Sequence, residues 1–69
     1  MAGNGIRYPD VEVRLVGEDG NAFAILGRVQ RALRSAGVDE SEISEFFAQA
    51  SSGDYDHLLG VVMQWVDVA

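Results

Sequence analysis

Apolar and polar residues alternate through Asp10-Val11-Glu12-Val13-Arg14-Leu15-Val16. A period of two with β-branched residues predicts a strand over 10–16 whose Val11, Val13 and Leu15 face inward. The turn-forming cluster Gly17-Glu18-Asp19-Gly20-Asn21 stops it. The period then changes. Ala22, Leu26, Val29, Leu33 and Ala36 recur at helical spacing, with Ile25 and Ala32 widening the stripe. Asp19 or Asn21 is placed to cap this first helix and Gly37 to close it.

A second helix starts at Asp39-Glu40-Ser41-Glu42, whose spacing is that of a capping box, with Asp39 as cap and Glu42 reaching back. Val38 and Ile43 are spaced as a hydrophobic staple. Ile43, Phe46, Phe47 and Ala50 form the expected buried face, and Gly53 the stop. A third helix begins near Asp54 and buries Leu58, Leu59, Val62 and Met63. Trp65-Val66-Asp67-Val68 alternates again and reads as a short strand pairing with the first, although Val61 to Val68 also fits a strand throughout. Gly27 and Gly60 fall inside predicted helices, where each costs about 1 kcal/mol relative to alanine. Close approach of two helices at those glycines is the expected compensation.

These elements predict an α+β fold: a single small domain over residues 10–69, strand-helix-helix-helix-strand, with the helices on one face of a two-stranded sheet. Residues 1–9, rich in glycine and ending at Pro9, read as a flexible N-terminal tail.

Composition narrows the functional classes. At 69 residues and 48% apolar content the chain has a core but a small one. With no cysteine and one histidine, the usual staples of small domains, a disulfide or a structural metal, are missing from its chemistry. Association with a second copy is the remaining staple. No cofactor is implied. No apolar run has the length of a membrane span, and Met1-Ala2-Gly3-Asn4-Gly5 lacks the features of a signal peptide, so a cytoplasmic location is expected.

Charge is divided along the chain. Five arginines (Arg7, Arg14, Arg28, Arg31, Arg34) lie in the first half, and seven carboxylates follow Arg34 with no cation among them. The net charge of −6 argues against nucleic-acid binding. It also allows the two halves to attract each other, within one chain or between two.

Chemistry-bearing residues concentrate in Ser51-Ser52-Gly53-Asp54-Tyr55-Asp56-His57. Ser52, Asp54, Asp56 and His57 have the residue types of a hydrolytic triad, but they crowd one turn-to-helix junction with little chain left to build a cleft and an oxyanion hole. Asp54 and Asp56 begin like a calcium loop, which fails because Leu58 and Leu59 occupy the next ligand and glycine positions. Asp54 is therefore expected to cap the third helix and His57 to sit half exposed in its first turn. At the strand-to-helix junction, Asn21 with Arg28, Arg31 or Arg34 offers a place for an anion, although the GxGxxG spacing and the lysine of a phosphate loop are lacking and Glu18 and Asp19 oppose one.

The combination Gly17-Glu18-Asp19-Gly20-Asn21-Ala22-Phe23 with Ser52-Gly53-Asp54-Tyr55-Asp56-His57-Leu58-Leu59 resembles a group of very short bacterial and phage-encoded proteins, over about Val11 to Val68. The resemblance implies no activity; it implies the habit of such proteins, binding and modulating another protein. The expected function is a non-enzymatic protein-interaction module, homo-oligomeric, whose candidate surface comprises Asn21, Arg28, Arg31, Arg34, Asp54 and His57. The alternatives are a binder of an anionic small molecule at the strand-to-helix junction and an acidic decoy that occupies a nucleic-acid-binding site.

Overall fold

The computed structural model describes residues 6–15 and 21–68. The expectations for residues 1–5 and for the turn at 17–20, including a capping role for Asp19, lie outside the described residues. The chain runs β1 (Tyr8–Val13), α1 (Ala22–Ser35), α2 (Glu40–Ala50), α3 (Tyr55–Trp65) and β2 (Val66–Val68). This is the α+β order expected, with a two-stranded sheet. The strands are parallel, Tyr8 opposite Val66, Glu12 opposite Asp67 and Val13 opposite Val68. Parallel neighbours need a crossover of a dozen or more residues, which the three helices supply.

The strand expected over 10–16 is corrected at both ends. β1 stops at Val13, where its pairing with the three-residue β2 ends, leaving Arg14 and Leu15 outside it. It starts at Tyr8, two residues before the alternation, and its register is irregular between Tyr8 and Glu12. Across that bulge the inward positions are Tyr8, Val11 and Val13, so the step of two holds only after Pro9 and Asp10. The chain just before β1 is also tied down, with the Arg7 amide donating to the Gln64 carbonyl at 2.9 Å.

Trp65 and Phe46 occupy the centre of the core, 2% and 0% exposed, and their rings meet edge-on with centroids 5.5 Å apart. Ile25, Leu26, Val29 and Leu33 of α1, Ile43 of α2 and Leu58, Val61 and Val62 of α3 pack around them. Trp65 is the last residue of α3 and Val66 the first of β2, so the helix-or-strand ambiguity over 61–68 resolves at that bond. Three expected core residues are corrected. Phe47 is 41% exposed, Met63 is 56% exposed and Ala36 lies on the surface at the C-cap of α1. In α2 and α3 the buried faces are narrow stripes, 43-46-50 and 58-61/62-65, and Phe47 and Met63 stand one residue off them.

The end of α1 follows the sequence. Gly37 takes a positive φ of 86°. Its amide reaches the Arg34 carbonyl and the Val38 amide the Leu33 carbonyl, both at 3.1 Å. These are the two bonds of a Schellman motif, and Leu33 and Val38 both pack on the core beneath it. Gly27 and Gly60 do not follow the sequence. A Cβ built on either meets nothing within 4 Å, so neither marks a close helix approach. Gly60→Ala is therefore expected to stabilise the domain by about 0.4–1 kcal/mol, since the methyl has room and glycine's conformational entropy in the unfolded chain is reduced. A higher urea midpoint checks this; a lower one would mean that the helix interior tolerates no side chain there.

Candidate functional site

Side chains satisfy the N-termini of α1 and α3 but not that of α2. At the start of α1, the Asn21 side chain accepts from the Ala24 amide at 3.1 Å, the cap expected of it. At the start of α3, Asp54 Oδ1 accepts from the His57 amide at 2.9 Å, so Asp54 is a cap as expected. Asp39 stands at the N-cap of α2 but its side chain makes no capping bond, and the capping box is not formed. Glu42 is engaged elsewhere. Its Oε1 accepts from the Tyr8 hydroxyl at 2.8 Å and from Arg7 Nη1 at 3.4 Å. The hydrogen bond to Glu42, then burial, raises the Tyr8 phenol above its ordinary pKa. A carboxylate with two outside donors, one of them charged, has little to gain by folding back on a single amide.

His57 closes the other end of α2. Its Nε2 lies 2.8 Å from the Gln49 carbonyl oxygen and 3.2 Å from Ser52 Oγ, while Ser52 Oγ itself donates to the same carbonyl at 2.8 Å. A carbonyl oxygen only accepts, so Nε2 carries its hydrogen there, in the neutral ring or in the imidazolium. The atom nearest the serine hydroxyl is thus a donor committed to the backbone. It is not a base that removes the serine's proton, which is what a triad requires. His57 sits exposed in the first turn of α3, as expected, and its ring has a further role that the expectation lacked: it caps the helix before its own.

Gly53 makes this contact possible. A Cβ there would lie 2.7 Å from His57 Cγ and 2.9 Å from its Cβ, atoms too near the backbone to swing aside. Gly53 accordingly serves the imidazole; the helix already ends at Ala50, with Ser51 as its cap. His57→Ala is expected to cost about 0.5–1.5 kcal/mol by removing one hydrogen bond that Ser52 partly replaces. Gly53→Ala is expected to destabilise wild type and to cost less in the His57→Ala background, where the contacts with Cγ and Cδ2 are gone and only that with Cβ remains. A double-mutant cycle in urea measures both, and additive losses would contradict the packing of glycine against imidazole.

The arginines of α1 do not form one site with Asn21. Arg34 makes a two-pronged pair with Glu40, Nε to Oε2 at 2.7 Å and Nη2 to Oε1 at 3.1 Å, which holds the Glu40 carboxyl below its ordinary pKa. Arg28 and Arg31 border a shallow cavity of about 360 Å³ with Phe23, Ala24 and Gly27, and Asn21 is not among its walls. A larger cavity of about 630 Å³ lies elsewhere, between Arg7–Val11, the α1–α2 turn and Glu42.

Sequence reading missed two residues that organise this region. Gln49 accepts from Trp65 Nε1 through its side chain at 3.1 Å while its carbonyl receives His57 and Ser52. Arg7, assigned to the tail, stacks over the Trp65 ring at 4.0 Å and pairs with Glu42 and Glu45 at 3.4 and 3.7 Å. Arg7 and Arg34 therefore draw the basic first half of the chain onto the acidic second half, as the charge division allowed. Of the seven carboxylates from Asp39 to Asp67, Glu40, Glu42, Glu45 and Asp54 are held by the chain's own donors.

Surface apolar groups complete the picture. Phe23 is 84% exposed. It borders a groove of about 200 Å³ where the start of α1 meets the end of α2 and the start of α3, lined by Ala22, Leu26, Ala50, Tyr55 and Leu58 among others. No buried polar side chain occurs among the described residues, and among them no group of three or more His, Cys, Asp or Glu could hold a metal ion. Among the described residues no helix is long and apolar enough to cross a membrane. No protein-family model, curated protein or solved structure matches the chain.

Proposed function

We propose that this chain is a small, non-enzymatic, cytoplasmic protein-interaction module that associates with itself. The observation that carries the reading of an interaction module is Phe23, a large apolar side chain 84% exposed at the rim of a groove with apolar walls. Exposed apolar surface beside a recess is where protein partners dock. The core supports self-association. It is small, has no cysteine to staple it, and leaves the outer edge of a two-stranded sheet without a strand partner among the described residues. The resemblance to short phage-encoded proteins fits an additional protein target.

The alternatives have less to stand on. An anion binder needs Asn21 and an arginine around one cavity, and Asn21 is spent on a helix cap. A decoy needs carboxylates displayed to a partner, and four of the seven are engaged within the chain. Sedimentation velocity on the purified chain tests the proposal. A dimer or larger species at micromolar concentration is expected, and a monomer that stays monomeric as concentration rises would overturn it.

A further inference from the structure

We infer that two copies of this chain pair through the outer edges of β1, antiparallel and about a two-fold axis at Val13, so that Glu12 of each copy lies opposite Arg14 of the other. The inference rests on the self-association proposed above and specifies where it occurs.

Four observations lead to it. First, among the described residues β1 has one strand neighbour, β2, so its other edge offers unpaired backbone groups. Second, Glu12 lies in register with Asp67 of β2. Both are exposed, and neither side chain makes a hydrogen bond or ion pair among the described residues. Two carboxylates side by side on a sheet repel one another, and among the described residues no cation forms an ion pair with either. Third, Arg14, the first residue beyond the end of β1, is exposed and its side chain likewise unpaired among the described residues. Fourth, Val11 and Val13 are buried on the helix side and Leu15 half-buried there, so the inner and outer faces of this stretch are distinct.

Face matching and charge then select the register. Antiparallel neighbours keep their faces aligned only when the axis passes through a residue. An axis at Val11 sets Asp10 against Glu12 of the other copy twice. An axis at Glu12 sets that carboxylate against itself. An axis at Val13 sets Val13 against Val13, Val11 against Leu15 twice, and Glu12 against Arg14 twice. It alone pairs opposite charges at every charged position from 11 to 15, and it covers the half-buried Leu15. Pro9, which has no amide hydrogen to donate, falls outside the paired residues. The product is a four-stranded sheet in the order β2, β1, β1, β2. In it each Glu12 is flanked by Asp67 on one side and receives an arginine on the other, and the helices of both copies cover one face.

Charge exchange tests the register. Sedimentation equilibrium in low-salt buffer would compare wild type, Glu12→Arg, Arg14→Glu, the chain carrying both substitutions, and an equimolar mixture of the two single variants. Each single variant is expected to weaken dimerisation by about tenfold or more, because two attractive pairs become two repulsive ones. The doubly substituted chain and the mixture are expected to recover it to within about threefold, since both restore an arginine opposite a glutamate. Both residues are exposed, and circular dichroism would verify folding of each variant. Single variants that dimerise as wild type does, or a doubly substituted chain and mixture that stay monomeric, would overturn the β1 pairing while leaving self-association standing. Loss of the dimer on Phe23→Ser with the charge variants unaffected would move the interface to the groove. A monomeric wild type would overturn self-association itself, and the pairing with it.

Discussion

Phe46→Ala is expected to cost about 3–5 kcal/mol, and at that cost little folded protein remains. The side chain is wholly buried and its ring meets the Trp65 ring edge-on. Truncation removes apolar burial and also leaves a cavity between α2 and α3 that neighbouring side chains fill only in part. A domain of 69 residues has roughly 3–10 kcal/mol of stability in all, from about 0.05–0.15 kcal/mol per residue. Loss of the cooperative urea transition, or a midpoint close to zero denaturant, is the expected measurement. A midpoint near that of wild type would mean that Phe46 is not central to the core.

Trp65→Ala is expected to be as damaging, about 3–5 kcal/mol, and to have a second effect that Phe46→Ala lacks. The indole holds the entry to β1: Arg7 stacks on its face, the Tyr8 ring lies 6.0 Å away, and its Nε1 donates to Gln49. Removing it leaves Gln49 Oε1 without that donor and takes the surface from beneath Arg7. Trp65→Phe separates the effects. It retains most of the apolar contact and is expected to cost about 1–3 kcal/mol, from one lost hydrogen bond and a smaller ring. Tryptic cleavage after Arg7 should accelerate in Trp65→Ala beyond what global unfolding explains. Cleavage in proportion to unfolding alone would show that Arg7 is not anchored by the indole.

The elements of this fold are legible in the sequence where one periodicity dominates. Val11 and Val13, then Ile25, Leu26, Val29 and Leu33, stand where alternation and helical spacing place them. Gly37, Asn21 and Asp54 are readable because turn and cap chemistry is local. Local patterns fail where a distant partner competes. Glu42 has the spacing of a capping box, yet Tyr8 and Arg7, more than 30 positions away, take its carboxylate. The bulge at Pro9 and Asp10 hides the start of β1 because it breaks the very alternation that reveals strands. Trp65 was within reach, since it stands seven residues beyond Leu58 and completes the α3 stripe; the alternation of the following residues obscures it.

The cluster around His57 was legible as a cluster but not in its role. Asp54 and His57 do meet, through the histidine's amide, while the imidazole faces backwards to a carbonyl of the preceding helix. That contact depends on how α2 and α3 turn at Ser51–Asp54 and on the missing side chain of Gly53. Spacing along one chain does not encode it.

Self-association is the central claim, and melting temperature as a function of concentration tests it most directly. If folding and association are linked, raising the protein concentration a hundredfold is worth about 2.7 kcal/mol by mass action. For a domain of this size that should raise the midpoint by roughly 5–10 °C. A midpoint that does not move over the same range would contradict the account.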